Sequence, residues 1–153
     1  MVEIKGIISP ILTPMKSDES VNYEELRVQI NRLINGGIHG IFVFGTNGEG
    51  YILSEEEKIE IMRVAVEEVN GRVPVYASTG LVGTKDTIRL SQKAKEVGVD
   101  VLSNITPSFA AASQEELYTH FKTVAENVDM PIVLYNIPCL LYTSPSPRDS
   151  TSS

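Results

Sequence analysis

The sequence contains a single cysteine and no tryptophan, and its 13 lysines and arginines are outnumbered by 20 aspartates and glutamates. One cysteine excludes an internal disulfide framework and any metal site built from several cysteines. The net charge of −7, without a basic cluster, argues against nucleic acid as a partner, because nucleic-acid-binding proteins need a concentrated basic face. The sequence also lacks an apolar run of roughly 18 to 20 residues, the length that spans a bilayer, so we expect no membrane association.

The amino terminus lacks the pattern of a secretion signal. Residues 1–5, MVEIK, are not a charged segment followed by an apolar core and a small-residue cleavage site. Hydrophobic residues make up 42% of the chain and charged residues 22%, which is typical of a globular protein that dissolves in water. At 153 residues there is room for one ordinary domain. We therefore expect a cytoplasmic protein that acts on small molecules.

The segment 40–50, GIFVFGTNGEG, joins a strand signal to a polar, glycine-rich loop. Its residues 41–44 are apolar and rich in β-branched and aromatic side chains, which predicts a buried strand. We expect the three glycines of the loop to adopt positive φ angles and to leave room for a ligand near the loop amides. Ser54 with Glu57 is a capping box that predicts the start of a helix.

Strand and helix signals alternate along the rest of the chain at a period of about 30 residues, as in right-handed βαβ units with a parallel sheet. The predicted strands are 6–12, 41–44, 73–77, 99–105 and 131–134. The predicted helices are 23–35, one that follows Ser54 and extends to Val69, one capped by Thr84 that ends near Val97, and one that begins with the capping box of Ser113 and Glu116.

Two architectures fit this order, an open doubly wound sheet and a closed barrel. A dinucleotide-binding sheet normally carries G-x-G-x-x-G after its first strand. No such motif follows Leu12, and residues 45–50 read G-x-x-G-x-G instead. The absence of the motif disfavours the doubly wound sheet.

Polar residues recur where each predicted strand ends, namely Thr13, Thr46 with Asn47, Ser78 with Thr79, Thr106 and Tyr135. In a barrel these ends surround one mouth, which is where such barrels build their sites. A complete barrel needs eight units and about 250 residues. The sequence therefore predicts an α/β fold, an incomplete TIM (β/α)8 barrel with about five parallel strands and four helices.

The residues 45–49 (GTNGE), Glu57 and the segment 135–138 (YNIP) resemble the dihydrodipicolinate synthase and N-acetylneuraminate lyase family. The resemblance covers residues 2–138, roughly the first half of such an enzyme. It implies a barrel that forms a Schiff base between a lysine and pyruvate, and we expect no cofactor. We also expect no metal, because no aspartate, glutamate or histidine grouping has the spacing of a metal site. The resemblance also implies that the complete parent is a homo-oligomer, a tetramer.

The resemblance assigns roles to four residues of this chain. Gly45, Thr46 and Asn47 are expected to bind the carboxylate of a 2-keto acid, since amides and hydroxyls suit that group. Thr46 and Tyr135 are expected to be catalytic members of a proton relay, and a phenol can both donate and accept a proton.

The nucleophilic lysine is expected on a sixth strand, about one repeat beyond Tyr135, and the sequence does not include that strand. Lys58 and three other lysines lie on predicted helices, and only Lys16 is near the expected mouth, where we expect it to be solvated. We therefore expect this chain alone to be inactive.

Two residues differ from those usual in synthases of the family, and both bear on the substrate of the parent. Asn47 stands where synthases of the family usually carry a second threonine, and family members that cleave 4-hydroxy-2-oxoglutarate can carry asparagine there. Phe109 stands where synthases have a tyrosine that reaches a neighbouring subunit's site, so the usual three-member relay is incomplete. We expect dihydrodipicolinate synthase-type activity for the complete parent, with N-acetylneuraminate lyase or 4-hydroxy-2-oxoglutarate aldolase activity as the alternative. Outside the enzyme class, the alternatives are a non-catalytic α/β ligand-binding module and a truncated product without function.

The last fifteen residues, 139–153, differ in composition from the rest of the chain. They read CLLYTSPSPRDSTSS, which is typical of a disordered tail. Residues 139–149 also resemble the in-frame translation of a transposase adapter used in sequencing-library preparation. We therefore predict that residues 1–138 form the barrel part and that residues 139–153, with the only cysteine, are non-native and disordered.

Overall fold

The computed structural model describes residues 3–108 and 112–136, in which five strands and four helices alternate. The strands are β1 (Ile8–Pro10), β2 (Gly40–Val43), β3 (Val75–Ser78), β4 (Val101–Ile105) and β5 (Ile132–Tyr135). The helices are α1 (Tyr23–Asn35), α2 (Glu55–Val69), α3 (Thr84–Val97) and α4 (Gln114–Asn127). The predicted boundary at residue 138 and the segment 139–153 lie outside the described residues and stay predictions.

The strands form one sheet in the order β1-β2-β3-β4-β5, and every neighbouring pair is parallel. A doubly wound sheet would contain a point at which the strand order reverses, and this sheet contains none within the described residues. Strands that follow the chain order, with a helix between each pair, are half of a (β/α)8 barrel. The predicted fold class is therefore confirmed.

The apolar core lies between the sheet and the layer of helices. Ile41 of β2 is fully buried, and each helix contributes one apolar face to the core, as amphipathic periodicity requires. Fully or almost fully buried residues of the helices include Leu26 and Ile30 in α1, Ile61 and Met62 in α2, Leu90 and Ala94 in α3, and Val124 in α4.

The helix starts are held by their capping residues, with one difference from prediction. Both predicted capping boxes are present, at Ser54 and at Ser113. The prediction that Thr84 caps α3 is wrong, because Gly83 is the N-cap and has no side-chain capping bond. The Thr84 hydroxyl oxygen lies instead 2.8 Å from Nδ1 of His120, a contact that joins α3 to α4.

All five strands have at least one end that differs from prediction by one or two residues, as β1 and β5 illustrate. Only residues Ile8–Pro10 of the predicted strand 6–12 pair with β2. Pro10 lies at the end of β1, where its missing N–H costs no ladder hydrogen bond. Strand β5 extends one residue further than predicted, to Tyr135, which pairs with Ile105 of β4.

A polar network fixes α1 against α2. Arg27 of α1 donates to Glu67 and Glu68 of α2 at 3.0 and 3.1 Å, and Asn31 also donates to Glu68. The hydrogen bond from Asn31, followed by that from Arg27, lowers the pKa of the Glu68 carboxyl. These bonds set the register of the two helices that flank β2, the strand that leads into the glycine-rich loop.

Strand β5 is an edge of the described sheet and leaves an apolar groove beside α4. The groove has a volume of about 570 Å³, and its lining includes Leu117, Phe121, Ile132 and Leu134. Leu134 is 59% exposed. Unpaired edge strands with exposed apolar surface favour association with further chains. Within the described residues, no helix is both long enough and apolar enough to cross a membrane.

We expect the 153-residue chain to self-associate through the β5 edge, and Leu134→Lys to reduce that association because it places a charge in the groove. Light scattering over a concentration series measures the effect. Val28→Lys is the matched control, because Val28 lies on α1 and is also 59% exposed. A chain that stays monomeric at every concentration would contradict the expectation, as would equal effects of the two substitutions.

Candidate active site

A cavity of about 360 Å³ lies at the carboxyl ends of strands β2 to β5. Polar side chains at the ends of four strands line it, and the glycine-rich loop forms part of its wall. The lining residues include Gly45, Thr46, Lys58, Ser78, Thr106 and Tyr135. Parallel strands aim their carboxyl ends at the same edge of the sheet, so residues far apart in the chain share this cavity.

The structure brings together three of the four residues to which the resemblance assigns roles. Gly45, Thr46 and Tyr135 line the cavity, and Tyr135 is 37% exposed. Asn47 lies in the same loop but is exposed and does not line the cavity. Phe109 lies outside the described residues.

Two of the other strand-end residues, Thr13 and Thr79, make hydrogen bonds that hold the structure together. Thr13 donates to the carbonyl oxygen of Gly48 at 2.7 Å and so ties the loop to the segment after β1. Thr79 is fully buried behind β3, where it donates to Oδ1 of Asn104 and accepts from the hydroxyl of Ser91, both at 2.8 Å. Ser78, rather than Thr79, is the residue of β3 that reaches the cavity.

Backbone hydrogen bonds fold the loop onto itself. Glu49 N–H donates to the carbonyl of Thr46 at 3.1 Å, and Gly50 N–H donates to the carbonyl of Gly45 at 3.3 Å. The N–H groups of Thr46 and Asn47 donate to no acceptor among the described residues. Two adjacent free amides in a tight loop are donors that an anion such as a carboxylate can use.

The positive φ angles predicted for the loop glycines are wrong. Positive φ angles occur at Phe44 (38°) and Glu49 (52°), whereas none of the three loop glycines has one. The glycines are required by close approach: a Cβ at position 50 would collide with the carbonyl oxygen of Phe44, and one at position 48 would lie 2.8 Å from the carbonyl oxygen of Ile11. Non-glycine residues at positive φ are strained, and such strain is concentrated at functional sites.

Lys58 is a cavity residue that the sequence analysis placed on a helix away from the mouth. It lies in α2, is only 9% exposed and lines the cavity. Burial lowers the pKa of its ammonium group, and the charge of Glu55 offsets part of that effect. The helical period of the sequence indicates this burial. Lys58 precedes the buried Ile61 and Met62 by three and four residues and so shares their face of the helix.

The site contains no recognisable metal centre in the part of the chain that the structure describes. No group of three or more histidine, cysteine, aspartate or glutamate residues there is arranged to hold a metal ion. The chemistry available at the cavity is that of free amides, hydroxyls, two phenols and one ammonium group.

Comparison with known proteins identifies relatives over almost the whole chain. The model of the dihydrodipicolinate synthetase family matches residues 3–147. A 4-hydroxy-tetrahydrodipicolinate synthase of Bacillus velezensis is 42% identical over 147 residues, which are 96% of this chain and 51% of that protein. The chain thus spans about half the length of the curated relatives it matches.

The chain also matches solved structures over about half of their length. The dihydrodipicolinate synthase of Aquifex aeolicus superimposes with a TM-score of 0.89 at 38% identity, covering 92% of this chain and 48% of that one. The chloride-inhibited dihydrodipicolinate synthase of Acinetobacter baumannii, complexed with pyruvate, has a TM-score of 0.90 at 35% identity and covers 93% and 49%. The described half-barrel therefore corresponds to about half of each of these proteins.

We expect Gly50→Ala to lower the free energy of unfolding by about 1–3 kcal/mol, the usual cost of forcing extra volume into a packed site. The new methyl group would displace the carbonyl of Phe44 and with it the end of β2. Urea unfolding at low protein concentration measures the change. Gly36→Ala is the control, because Gly36 ends α1 with an ordinary φ of −76°. A Gly50→Ala chain as stable as the control would show that the loop relaxes freely.

Proposed function

The chain belongs to the dihydrodipicolinate synthetase family, and on that premise we propose that its complete parent is a carbon–carbon lyase of the class I aldolase type. The parent forms a Schiff base with pyruvate and acts as a 4-hydroxy-tetrahydrodipicolinate synthase or a close variant of one. The observation that carries this proposal is the shared cavity of Thr46 and Tyr135, which come from the ends of β2 and β5. The relative from Acinetobacter baumannii complexed with pyruvate supports the keto acid as substrate.

The loop after β2 is the proposed binding site for the carboxylate of pyruvate. The free N–H groups of Thr46 and Asn47 are donors that a carboxylate can use, and the Thr46 hydroxyl adds a third. Asn47 contributes its amide N–H in this proposal, because its side chain is exposed outside the cavity.

Tyr135 is the proposed proton carrier. Its phenol can give a proton to the carbinolamine that precedes the imine and take one back, which is the exchange that loss of water requires. Its backbone is fixed by the pairing of β5 with β4, where Thr106 N–H donates to the Tyr135 carbonyl at 3.3 Å. A phenol on a fixed strand end keeps a constant position relative to the loop across the cavity.

The chain as given is proposed to be inactive by itself. Lys58 is the one lysine among the described lining residues, and it extends from a helix rather than from a strand end. The nucleophile is proposed to come from the part of the parent that follows β5. We further propose that the parent is a cytoplasmic homo-oligomer.

One observation favours a different member of the family. Asn47 replaces the second threonine that synthases usually carry, and asparagine occurs in members that cleave 4-hydroxy-2-oxoglutarate. That aldolase activity is the second candidate for the parent. Both candidates use the same imine chemistry and differ in the carbonyl compound that joins or leaves pyruvate.

Borohydride reduction in the presence of pyruvate tests the imine. We expect the complete parent to gain one stable pyruvate adduct, on a lysine beyond residue 138, and the 153-residue chain to gain none. Mass spectrometry of the intact proteins and of their peptides measures both. A parent without an adduct would exclude Schiff-base catalysis, and an adduct on the 153-residue chain would exclude the proposed inactivity.

Replacing Tyr135 by phenylalanine tests the relay. In the complete parent we expect Tyr135→Phe to lower kcat about 10²- to 10⁴-fold, the usual contribution of a positioned acid or base, with a smaller change in the KM for pyruvate. Tyr51→Phe is the matched control, because Tyr51 lines the same cavity and is 76% exposed. Equal kinetics of the two variants would remove Tyr135 from the relay.

A further inference from the structure

The loop between β3 and α3, residues 80–83, forms one wall of the cavity. Gly80, Leu81 and Val82 line the cavity. The side chain of Leu81 also packs against the apolar core, so it lies between the core and the cavity. Loops are more mobile than the strands and helices that they connect, so a loop that forms a binding wall needs an anchor.

The anchor of this loop is the side chain of Thr87. Thr87 lies on α3 and is fully buried, and its hydroxyl oxygen accepts from the N–H of Leu81 at 3.0 Å. The same oxygen lies 3.2 Å from the carbonyl oxygen of Leu81 and 3.0 Å from that of Gly83, and its single proton can serve either of them. The N–H of Thr87 also donates to the Gly83 carbonyl. Within the described residues, every hydrogen bond of residues 80–83 is made with Thr87.

The start of α3 depends on this hydroxyl because it lacks a capping side chain. The other described helices each begin with a side chain that accepts a capping bond, whereas α3 begins at the N-cap Gly83 without one. Removing the Thr87 hydroxyl would leave the N–H of Leu81 without its acceptor. A donor that loses its partner in a packed site costs more free energy than an average hydrogen bond contributes.

The loop is also in contact with the strand end opposite Tyr135. A Cβ at Gly80 would lie 2.7 Å from the backbone nitrogen of Ile105, so the loop lies directly against the end of β4. Ile105 lines the cavity and pairs with Tyr135 of β5. The position of the loop therefore affects the shape of the cavity on the side of Tyr135.

We propose that Thr87 is a positioning residue of the complete parent, which holds the backbone of Leu81 so that the Leu81 side chain stays against the ligand in the cavity. Thr87 does not line the cavity and so acts through Leu81. The proposal rests on the proposed function in taking pyruvate as the ligand. An apolar wall contacts the ligand before and during the reaction alike, so a loosened wall weakens binding more than it slows the chemistry.

Amide hydrogen exchange of the 153-residue chain tests the anchor. Among residues 80–83, only the N–H of Leu81 donates to a described acceptor, so slow exchange of a peptide that covers the loop reports this one amide. We expect Thr87→Val to speed that exchange on the order of tenfold or more, because valine has the same shape and no hydroxyl. Thr87→Ser retains the hydroxyl and should keep the exchange slow. Thr123→Val is the matched control, because the Thr123 hydroxyl bonds the Thr119 carbonyl within α4.

Pyruvate binding by the complete parent tests the positioning. The measured quantity is the pyruvate concentration that gives half of the maximal borohydride-trapped adduct. We expect Thr87→Val to raise this concentration severalfold without lowering the maximal adduct, Thr87→Ser to restore the unaltered value, and Thr123→Val to leave it unchanged. Leu81→Ala should raise it as well, because it removes the wall and leaves the anchor. A residue that only stabilised the fold would lower the melting temperature without moving this concentration.

Unchanged exchange of the loop in Thr87→Val would overturn the proposal, as would an unchanged half-maximal pyruvate concentration in a folded Thr87→Val parent. If Thr87→Val does not fold, Leu81→Ala decides, and unchanged pyruvate binding in that variant overturns the proposal. A parent that traps no pyruvate contradicts the proposed function instead. In that case the exchange of the 153-residue chain still decides whether Thr87 anchors the loop.

Discussion

Parallel pairing of the strands in chain order is the constraint on which the rest of the structure depends. Because β1 to β5 all have the same direction, the residues that follow them are delivered to one edge of the sheet. Thr46 and Tyr135 are separated by most of the described chain and still line one cavity. The helices and the core maintain this arrangement, whereas the short segments after the strands carry the chemistry.

Much of this arrangement could be predicted because it depends on local signals. The amphipathic period of α1 and the capping boxes of α2 and α4 act within a few residues, and the structure reproduces them. The first and last residues of the strands were predicted less accurately. Pairing with a neighbouring strand, rather than hydrophobicity, decides where a strand ends.

The features that sequence reasoning missed depend on contacts between distant segments. Gly48 and Gly50 are required because backbone carbonyl groups approach them closely. The conformational propensity of a residue does not reveal such an approach. Thr84 has the chemistry of a cap, but its hydroxyl contacts His120 of another helix. Lys58 was placed away from the mouth because it lies on a helix, whereas the buried face of that helix includes it.

The buried cluster of Thr79, Ser91 and Asn104 has a consequence for how the sheet assembles. Two hydrogen bonds of 2.8 Å join Thr79, the residue after β3, to Asn104 of β4 and to Ser91 of α3. A shift of β3 by one position along β4 would turn Thr79 to the opposite face and leave these polar groups unsatisfied in the interior. The cluster therefore favours the observed alignment of β3 with β4 over alignments shifted by one residue.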